Sequence, residues 1–389
     1  MPNSPSKKRN ARPYLWLNIL FVVATGVQAY FTVDVVRSLT SGYQKLPFWV
    51  SDPWPTLTSV DSSAASAGLR VGDRLVALDG HALTNPRDFY QAVYARRVGE
   101  EVAISAMRDG RLVNSRVRVT GVHQWPPFAY IALLFLPWLS LALGFWVAAS
   151  RPYDSRAWMV LGILLGMSQF VRPFVFRAAA WPAAVAVIAI VYSAMALRVW
   201  AVCMMLFGIY FPVRWIVDRK LPWVKWALLL PIVTFGLWDG FTEALASQNY
   251  AAATRTVQDP LPESVTMALM FAAVSLFFIA ISTKFSDRTL AADDRRRLKL
   301  LYWGCAAAMT PYFLVLLSGL FGKPVGDGLP LAFSLMAVVL LPVTLAYVIV
   351  VQRAMDVRMV IRQGVQYALA RRGVNFQHHC IIHATKTSS

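Results

Sequence analysis

Residues 64–80 read AASAGLRVGDRLVALDG, and this stretch decides the fold of the polar part of the chain. The small residues of Ser63–Ala67 favour a short helix, and Gly68 is expected to end it because glycine readily adopts the left-handed conformation of a helix C-cap. Arg74–Leu78 is a compact apolar run, and the Asp79-Gly80 dipeptide behind it is typical of a tight turn. The stretch therefore predicts a short helix, a strand and a turn in close succession.

The segments on either side of this stretch carry strand patterns. Thr56–Val60 alternates weakly between apolar and polar residues, and Val102–Met107 alternates more clearly. The dipeptide Asp109-Gly110 marks a hairpin turn, after which Leu112–Val119 alternates again, with arginines outward and valines inward. These segments predict a small sheet that contains one tight hairpin.

A longer helix is predicted between the two strand regions. Asn85 suits the N-cap position and Pro86 suits the first helical position, where its missing N–H costs nothing. Phe89 and Val93 follow at helical spacing on one apolar face. Together with the strands, this helix predicts one small α+β domain in residues 40–123, a length that suffices for a single domain.

Long apolar runs surround this domain and place the chain among integral membrane proteins. A helix of about 20 apolar residues crosses the hydrocarbon core of a bilayer, which is about 30 Å thick. The mean hydropathy is +0.50 and 15% of the residues are charged, against about 25% in soluble domains. We predict an α-helical polytopic membrane protein of about eight transmembrane helices, the first in residues 14–36 and seven more in residues 126–352.

One predicted span combines two apolar pieces of the chain. Ala178–Ile190 is too short to cross a bilayer alone, so it is merged into the fourth span. One more or one fewer crossing would place the two termini on opposite sides of the membrane. The predicted spans are Tyr14–Val33, Phe128–Ala149, Trp158–Val175, Ala186–Phe211, Trp223–Leu245, Val265–Thr283, Leu301–Phe321 and Leu331–Val351.

The net charge of +18 agrees with this topology. With the basic residues 1–13 in the cytoplasm, the loops predicted on that side and residues 353–389 are rich in Lys and Arg. The short loops on the other side contain few. Because positive residues favour the cytoplasmic side, we predict an inner-membrane protein with an extracytoplasmic domain and two cytoplasmic termini. The basic residues are spread over short loops, which predicts contact with the lipid bilayer and no binding of nucleic acid.

The sequence contains no recognisable motif for catalysis. We find no metalloprotease His-Glu-x-x-His, nucleophile elbow, phosphate-binding loop or dinucleotide fingerprint, and we expect no catalytic residue, no metal site and no cofactor. Arg198 and Asp239 are charged residues inside predicted spans, where burying a charge is costly. Two interpretations stay open: the pair joins helices or binds a ligand, or Arg198 marks a misplaced span boundary and Asp239 reaches outward.

Residues 64–80 resemble the central motif of bacterial PDZ domains, and the order of the following elements matches that family. The resemblance implies that an extended peptide adds to the sheet edge, with its C-terminal carboxylate held by backbone N–H groups of a glycine-containing loop. This chain departs from the family there, because Lys45–Val50 has no glycine and Pro47 has no N–H. Carboxylate capture is therefore in doubt, whereas binding in an apolar groove is still expected.

The groove implied by this resemblance has a strand side and a helix side. The predicted groove residues are Phe48, Trp49, Val50, Phe89 and Val93. A second interpretation stays open, in which Phe48, Phe89 and Val93 are ordinary core residues.

A second resemblance lies behind the last predicted span. Residues 352–373 read QRAMDVRMVIRQGVQYALARRG, a pattern typical of a basic, partly amphipathic juxtamembrane helix. Together with the PDZ-like domain and the seven-helix block, this segment resembles the N-terminal sensory half of bacterial membrane histidine kinases and of 2C-type serine/threonine phosphatases. Residues 375–389 carry no kinase or phosphatase motif, so we expect the catalytic half to be absent.

These patterns indicate three functions. The first is a non-catalytic membrane sensor or scaffold, whose PDZ-like domain binds a peptide or protein terminus and whose helices anchor it or relay the signal. The second is a transporter or permease component with the domain as a regulatory cap. The third is a truncated relict of a membrane histidine kinase or serine/threonine phosphatase. Besides the peptide and the bilayer, the expected partners are a cytoplasmic signalling protein or a second copy of the chain.

Overall fold

A computed structural model of the chain describes residues 12–51, 54–122, 127–170, 181–249, 263–285, 290–320 and 329–348. Within these ranges, helix α1 (Arg12–Ser41) leads into a small β-rich domain, and a helical block follows the domain. This is the order of parts that the sequence predicts. The predicted juxtamembrane helix and tail in residues 353–389 lie outside the described residues.

The domain is built on an antiparallel sheet with the strand order β2-β3-β4-β6-β7, and β5 pairs with β4. A separate ribbon of β1 and β8 joins the beginning of the domain to its end. Helix α2 (Ser62–Ser66) and helix α3 (Pro86–Tyr94) complete it. The strands are β1 (Tyr43–Lys45), β2 (Phe48–Ser51), β3 (Thr56–Val60), β4 (Arg74–Leu78), β5 (His81–Ala82), β6 (Glu101–Arg108), β7 (Arg111–Arg118) and β8 (Thr120–Val122).

Two Asp-Gly turns set the register of the sheet, as the sequence predicts. Asp79 and Gly80 have φ angles of 47° and 79°, and Asp109 and Gly110 have φ angles of 47° and 77°. Both central residues of a type I′ hairpin turn need a positive φ, which aspartate tolerates and glycine adopts freely. The turn after β6 therefore lets β6 and β7 pair along their whole length.

The core of the domain lies on the faces that the sequence alternation predicts. Val102, Ile104 and Ala106 of β6 are buried, and so are Val117 and Val119 at the end of the hairpin. The predicted strands and the longer helix are confirmed to within about two residues at their ends, which is the usual uncertainty of such boundaries.

The segment Lys45–Val50, expected from the resemblance to hold the binding loop, contains strand residues instead. Phe48 begins β2, which is an edge strand and pairs with β3 through Phe48 and Val60. Lys45 ends β1, and its partner Thr120 is 75 residues away in the sequence. Strands this short contain too few residues to show an alternating pattern, so the sequence did not predict them.

The helical block begins with α4 (Pro127–Ser150) and ends, within the described residues, in a helix broken at Val339. Helix α6 is continuous and begins directly behind Pro182; the start of the merged piece, residues 178–180, lies outside the described residues, and the merger stays a prediction. The remaining helices are α5 (Ser155–Gln169), α6 (Ala183–Tyr210), α7 (Ile216–Lys220), α8 (Trp223–Gln248), α9 (Glu263–Phe285), α10 (Ala292–Leu320), α11 (Leu329–Val338) and α12 (Leu340–Ala346).

Several of these helices have the length and composition of membrane spans. Among the described residues, five helices are long and apolar enough to cross a membrane. They are Pro13–Thr40, Ala129–Ser150, Ala183–Tyr210, Trp223–Gln248 and Val265–Phe285. The predicted total of about eight spans stays a prediction.

Helix α6 packs closely against α5 because α5 presents two glycines, four residues apart. A Cβ atom at Gly162 would lie 2.4 Å from Sγ of Cys203, and one at Gly166 would lie 2.2 Å from Cβ of Trp200. Small residues at this spacing let two helix backbones approach each other in a membrane. The glycines of α5 therefore set its distance from α6.

Helix α8 contacts another face of α6 in the same way. A Cβ atom at Gly236 would lie 2.9 Å from Cγ of Arg198, and one at Gly240 would lie 3.3 Å from Cβ of Ala194. Two small-residue contacts of this type hold α6 between α5 and α8. Helix α6 is thus a central element of the described block.

Candidate peptide-binding site

The predicted groove corresponds to the space where the edge strand β2 meets helix α3. The ring of Phe48 on β2 lies against the ring of Phe89 on α3, with 6.4 Å between the ring centroids. Among the described strands β2 pairs only with β3. The structure therefore brings the strand side and the helix side of the predicted site together.

The backbone of Phe48 faces the open side of β2. Asp61 donates its N–H to the carbonyl of Pro47 over 2.8 Å, and Phe48 lies opposite Val60. In an antiparallel sheet this pattern belongs to a non-hydrogen-bonded pair, whose N–H and C=O groups point away from the neighbouring strand. The N–H and C=O of Phe48 are therefore directed towards the side where an added strand would pair.

The side chains predicted for the groove fall into two groups. Phe48, Phe89 and Val93 are 3%, 7% and 4% exposed and belong to the hydrophobic core. Trp49 is 49% exposed, and Val50 is half-buried against that core. Contact of all five side chains with a peptide stays a prediction, and the burial of the first three agrees with the core interpretation.

Trp54 is a further residue at this site, and the sequence reasoning missed it. Its ring packs edge-on against Phe89, with 5.7 Å between the centroids. It lies between β2 and β3, next to Pro55. A tryptophan between two prolines is a signal for a constrained loop, but only the folded chain shows that this loop returns to α3.

Hydrogen bonds at its N-terminus fix the start of α3. The side chain of Asp88 accepts the backbone N–H groups of Thr84 and Asn85, each over 3.1 Å, and the Thr84 hydroxyl over 2.6 Å. A carboxylate in the first turn satisfies free donors there and interacts favourably with the helix dipole. The helix side of the groove therefore has a defined starting point, as predicted from Asn85 and Pro86.

An ion pair between the buried carboxylate of Asp73 and the partly exposed Arg108 fixes the turn before β4. Arg108 donates from Nε and Nη2 to the two carboxylate oxygens of Asp73, each over 2.7 Å, and the N–H of Arg70 donates to the same carboxylate over 2.8 Å. Burial alone would raise the pKa of Asp73, but the bonds from Arg108 and Arg70 outweigh it and hold that pKa below its ordinary value. The pair ties this turn to the β6–β7 hairpin.

Helix α3 also contacts the helical block. Arg87 donates from Nη1 to Oε1 of Gln248 over 2.9 Å, and from Nη2 to the carbonyl of Trp181 over 3.4 Å. Nε1 of Trp181 in turn donates to Asp34 over 3.2 Å. These contacts join α3 to α1, to the start of α6 and to the end of α8. Sequence reasoning missed Arg87, because its partner Gln248 is 161 residues away.

The two intramembrane candidates lie together. Arg198 of α6 donates from Nη2 to Oδ2 of Asp239 on α8, and its Nη1 is 3.9 Å from Sδ of Met270. The stem of Arg198 lies against Gly236, where a side chain would displace it. This position suits a cross-link between α6 and α8, and the ligand-binding role considered above stays a prediction.

Within the described part of the chain, no group of three or more His, Cys, Asp or Glu side chains could hold a metal ion. The histidines near the C-terminus lie outside the described residues.

Comparisons with known proteins identify one region of the chain. The family model of the PDZ domain matches residues 47–119, which include β2, β3, β4, α3 and the β6–β7 hairpin. No significant match was found among curated proteins or among solved structures. PDZ domains generally bind peptide or protein termini. Residues 47–119 of this chain are therefore a PDZ domain, carried by a chain whose flanking helices are suited to a membrane.

Proposed function

We propose that this protein is a membrane-anchored peptide receptor. In this proposal, the PDZ domain pairs an extended peptide or protein segment with β2, and the helical block anchors the domain. The observation that carries it is the open edge of β2 next to α3 in a region that matches the PDZ family. Addition of a strand to an exposed sheet edge is a general mode of peptide recognition.

The proposed location is the extracytoplasmic face of a bacterial inner membrane, with both termini in the cytoplasm. The Lys and Arg bias of the short loops supports this orientation. The proposed role is non-catalytic signalling or scaffolding, in which the PDZ domain binds the peptide and the helices anchor it.

The contact between α3 and the helical block supports a relay role. Arg87 is on the helix that forms one side of the groove, and it binds Gln248 at the end of α8. A displacement of α3 on peptide binding would therefore act directly on a helix suited to span the membrane. A sensor needs a connection of this kind, whereas a domain joined only by flexible linkers would lack it.

The proposal is tested with the full chain in detergent micelles and an array of short peptides of varied sequence. We expect a subset of peptides to bind. Methylating one backbone nitrogen at a time in a bound peptide should then weaken binding at every second residue, because alternate residues of a strand direct their N–H groups to opposite sides. Equal effects at all positions, or no binding by a folded sample, would contradict the proposal.

A further inference from the structure

We propose that the open edge of β2 binds an extended segment through its main chain and does not require a free C-terminal carboxylate. This inference rests on the proposed peptide-receptor function and specifies its ligand class. The ligand would be an internal stretch of a protein, or a C-terminus recognised without its charge. Three independent features of the residues around β2 carry the inference.

The first feature is the set of backbone donors before β2. Anions are held in proteins by successive backbone N–H groups that converge on one point, and bonds to a charged acceptor are the strong ones. Pro47 interrupts such a series between Leu46 and Phe48, because proline has no N–H. The Pro47 carbonyl is also held by the N–H of Asp61, so this turn is fixed in a conformation with one donor missing.

The second feature is the charge of Lys45, which could otherwise replace the missing donor. Its ammonium group lies 4.8 Å from the centroid of the Trp49 ring and 3.9 Å from a carboxylate oxygen of Asp61. Its backbone is held in the β1–β8 ribbon, where the Thr120 hydroxyl donates to its carbonyl over 2.9 Å. The ammonium group of Lys45 therefore lies against Trp49 and Asp61 of the domain itself.

The third feature is the packing where a terminal side chain would be inserted. Phe48, Phe89 and Val93 are buried in the core where β2 meets α3, and the ring of Trp54 packs against Phe89. These side chains therefore offer little exposed surface to the last side chain of a peptide. What the edge offers a ligand is the backbone of Phe48 and the surface of Trp49 and Val50.

The test compares each peptide of the array in three forms: the free acid, the C-terminal amide, and a form extended by a short Gly-Ser tail. The full chain in detergent micelles is titrated with fluorescently labelled peptides. We expect the three dissociation constants to agree within about twofold. A loss of about tenfold or more for the amide and the extended form would overturn the inference, while the receptor function would stand. Absence of binding in all three forms would instead refute the receptor function.

A variant of the protein tests whether Pro47 is what prevents recognition of a C-terminal carboxylate. Pro47→Ala restores one N–H and keeps the carbonyl that Asp61 binds, so the free acid should gain affinity over the amide by about threefold or more. Val71→Ala, at an exposed site away from β2, serves as the matched control and should leave the ratio unchanged. An unchanged ratio in folded Pro47→Ala would show that the proline is not what excludes the carboxylate.

Discussion

At the residue scale, Asp73 shows how a buried charge positions the binding domain. It is 1% exposed and accepts bonds from Arg108 and from the N–H of Arg70. Asp73 lies in the stretch 64–80 that resembles the PDZ motif, but its partner Arg108 is 35 residues away in the sequence, on β6. The sequence could therefore predict the strand that follows Asp73 and could not predict the ion pair that holds its carboxylate.

We expect Asp73→Asn to destabilise the PDZ domain by about 2 kcal/mol, because it removes the buried charge that binds both Arg108 and the N–H of Arg70. Pulse proteolysis of the full chain in urea would measure the change. Asp61→Asn is the control: that carboxylate is 52% exposed and lies 3.9 Å from Lys45, so the change should be small. Equal stability of the two variants would contradict the role given to Asp73.

The carboxylate of Asp73 also leads to a prediction about how the stability of the domain depends on pH. The pKa of Asp73 is lower in the folded domain than its ordinary value. Its contribution to stability is therefore fully present above the unfolded pKa of about 3.9. It is lost as the pH falls through the lower, folded pKa. The wild-type domain should lose more stability than Asp73→Asn across this acid range in the urea assay, and parallel curves would contradict this assignment.

At the scale of elements, the sequence predicted those helices and strands whose ends are marked by a capping residue or a turn dipeptide. Helix α3 was predicted from Asn85 and Pro86, and the β6–β7 hairpin from Asp109-Gly110. The ribbon of β1 and β8 was not predicted, because each strand has three residues and its pairing is nonlocal. Likewise, the burial of Phe48 and Phe89 depends on packing between β2 and α3. The sequence alone therefore could not decide whether these residues line a groove or belong to the core.

The glycines between α5 and α6 lead to a prediction about the helical block. Gly166→Leu should separate these helices, because a Cβ there would lie 2.7 Å from the Ala196 carbonyl oxygen as well as against Trp200. We expect a loss of about 1–3 kcal/mol, as is usual for overpacking, seen as a lower melting temperature in detergent.

Gly26→Leu on α1 is the matched control for that experiment. A Cβ at Gly26 would meet nothing within 4 Å, so the same substitution adds a side chain without a clash. A similar fall in melting temperature for both variants would show that close approach of α5 and α6 is not what Gly166 provides.

At the scale of the whole molecule, the order of parts was predictable and their contact was not. Hydropathy located the apolar segments and the polar domain between them. The total number of membrane crossings was not settled, because only five of the described helices are both long and apolar enough to span a membrane. The bonds from Arg87 to Trp181 and Gln248 connect segments that no local pattern relates. They make the PDZ domain and the helical block one connected unit.

We expect Arg87→Ala to loosen this connection. Hydrogen bonds from a charged donor contribute about 1.5–3 kcal/mol each, so their loss should shift the docked population by about tenfold or more. Spin labels on exposed Leu112 of β7 and exposed Leu237 of α8 would report a broader distance distribution. Arg116→Ala, at an exposed site on β7, is the control and should keep the distribution narrow. An unchanged distribution in Arg87→Ala would contradict this docking role.

The β1–β8 ribbon has a consequence for how such a chain can be rearranged. Tyr43 and Val122 are direct partners, so the polypeptide leaves the domain within one strand spacing, about 5 Å, of where it entered. A folded unit with adjacent ends can be removed and the gap closed with a short turn, which would leave α1 and α4 as a helical hairpin and would also remove the bonds of Arg87 to Trp181 and Gln248. Any other small fold whose termini meet could be joined to α1 and α4 at the same point.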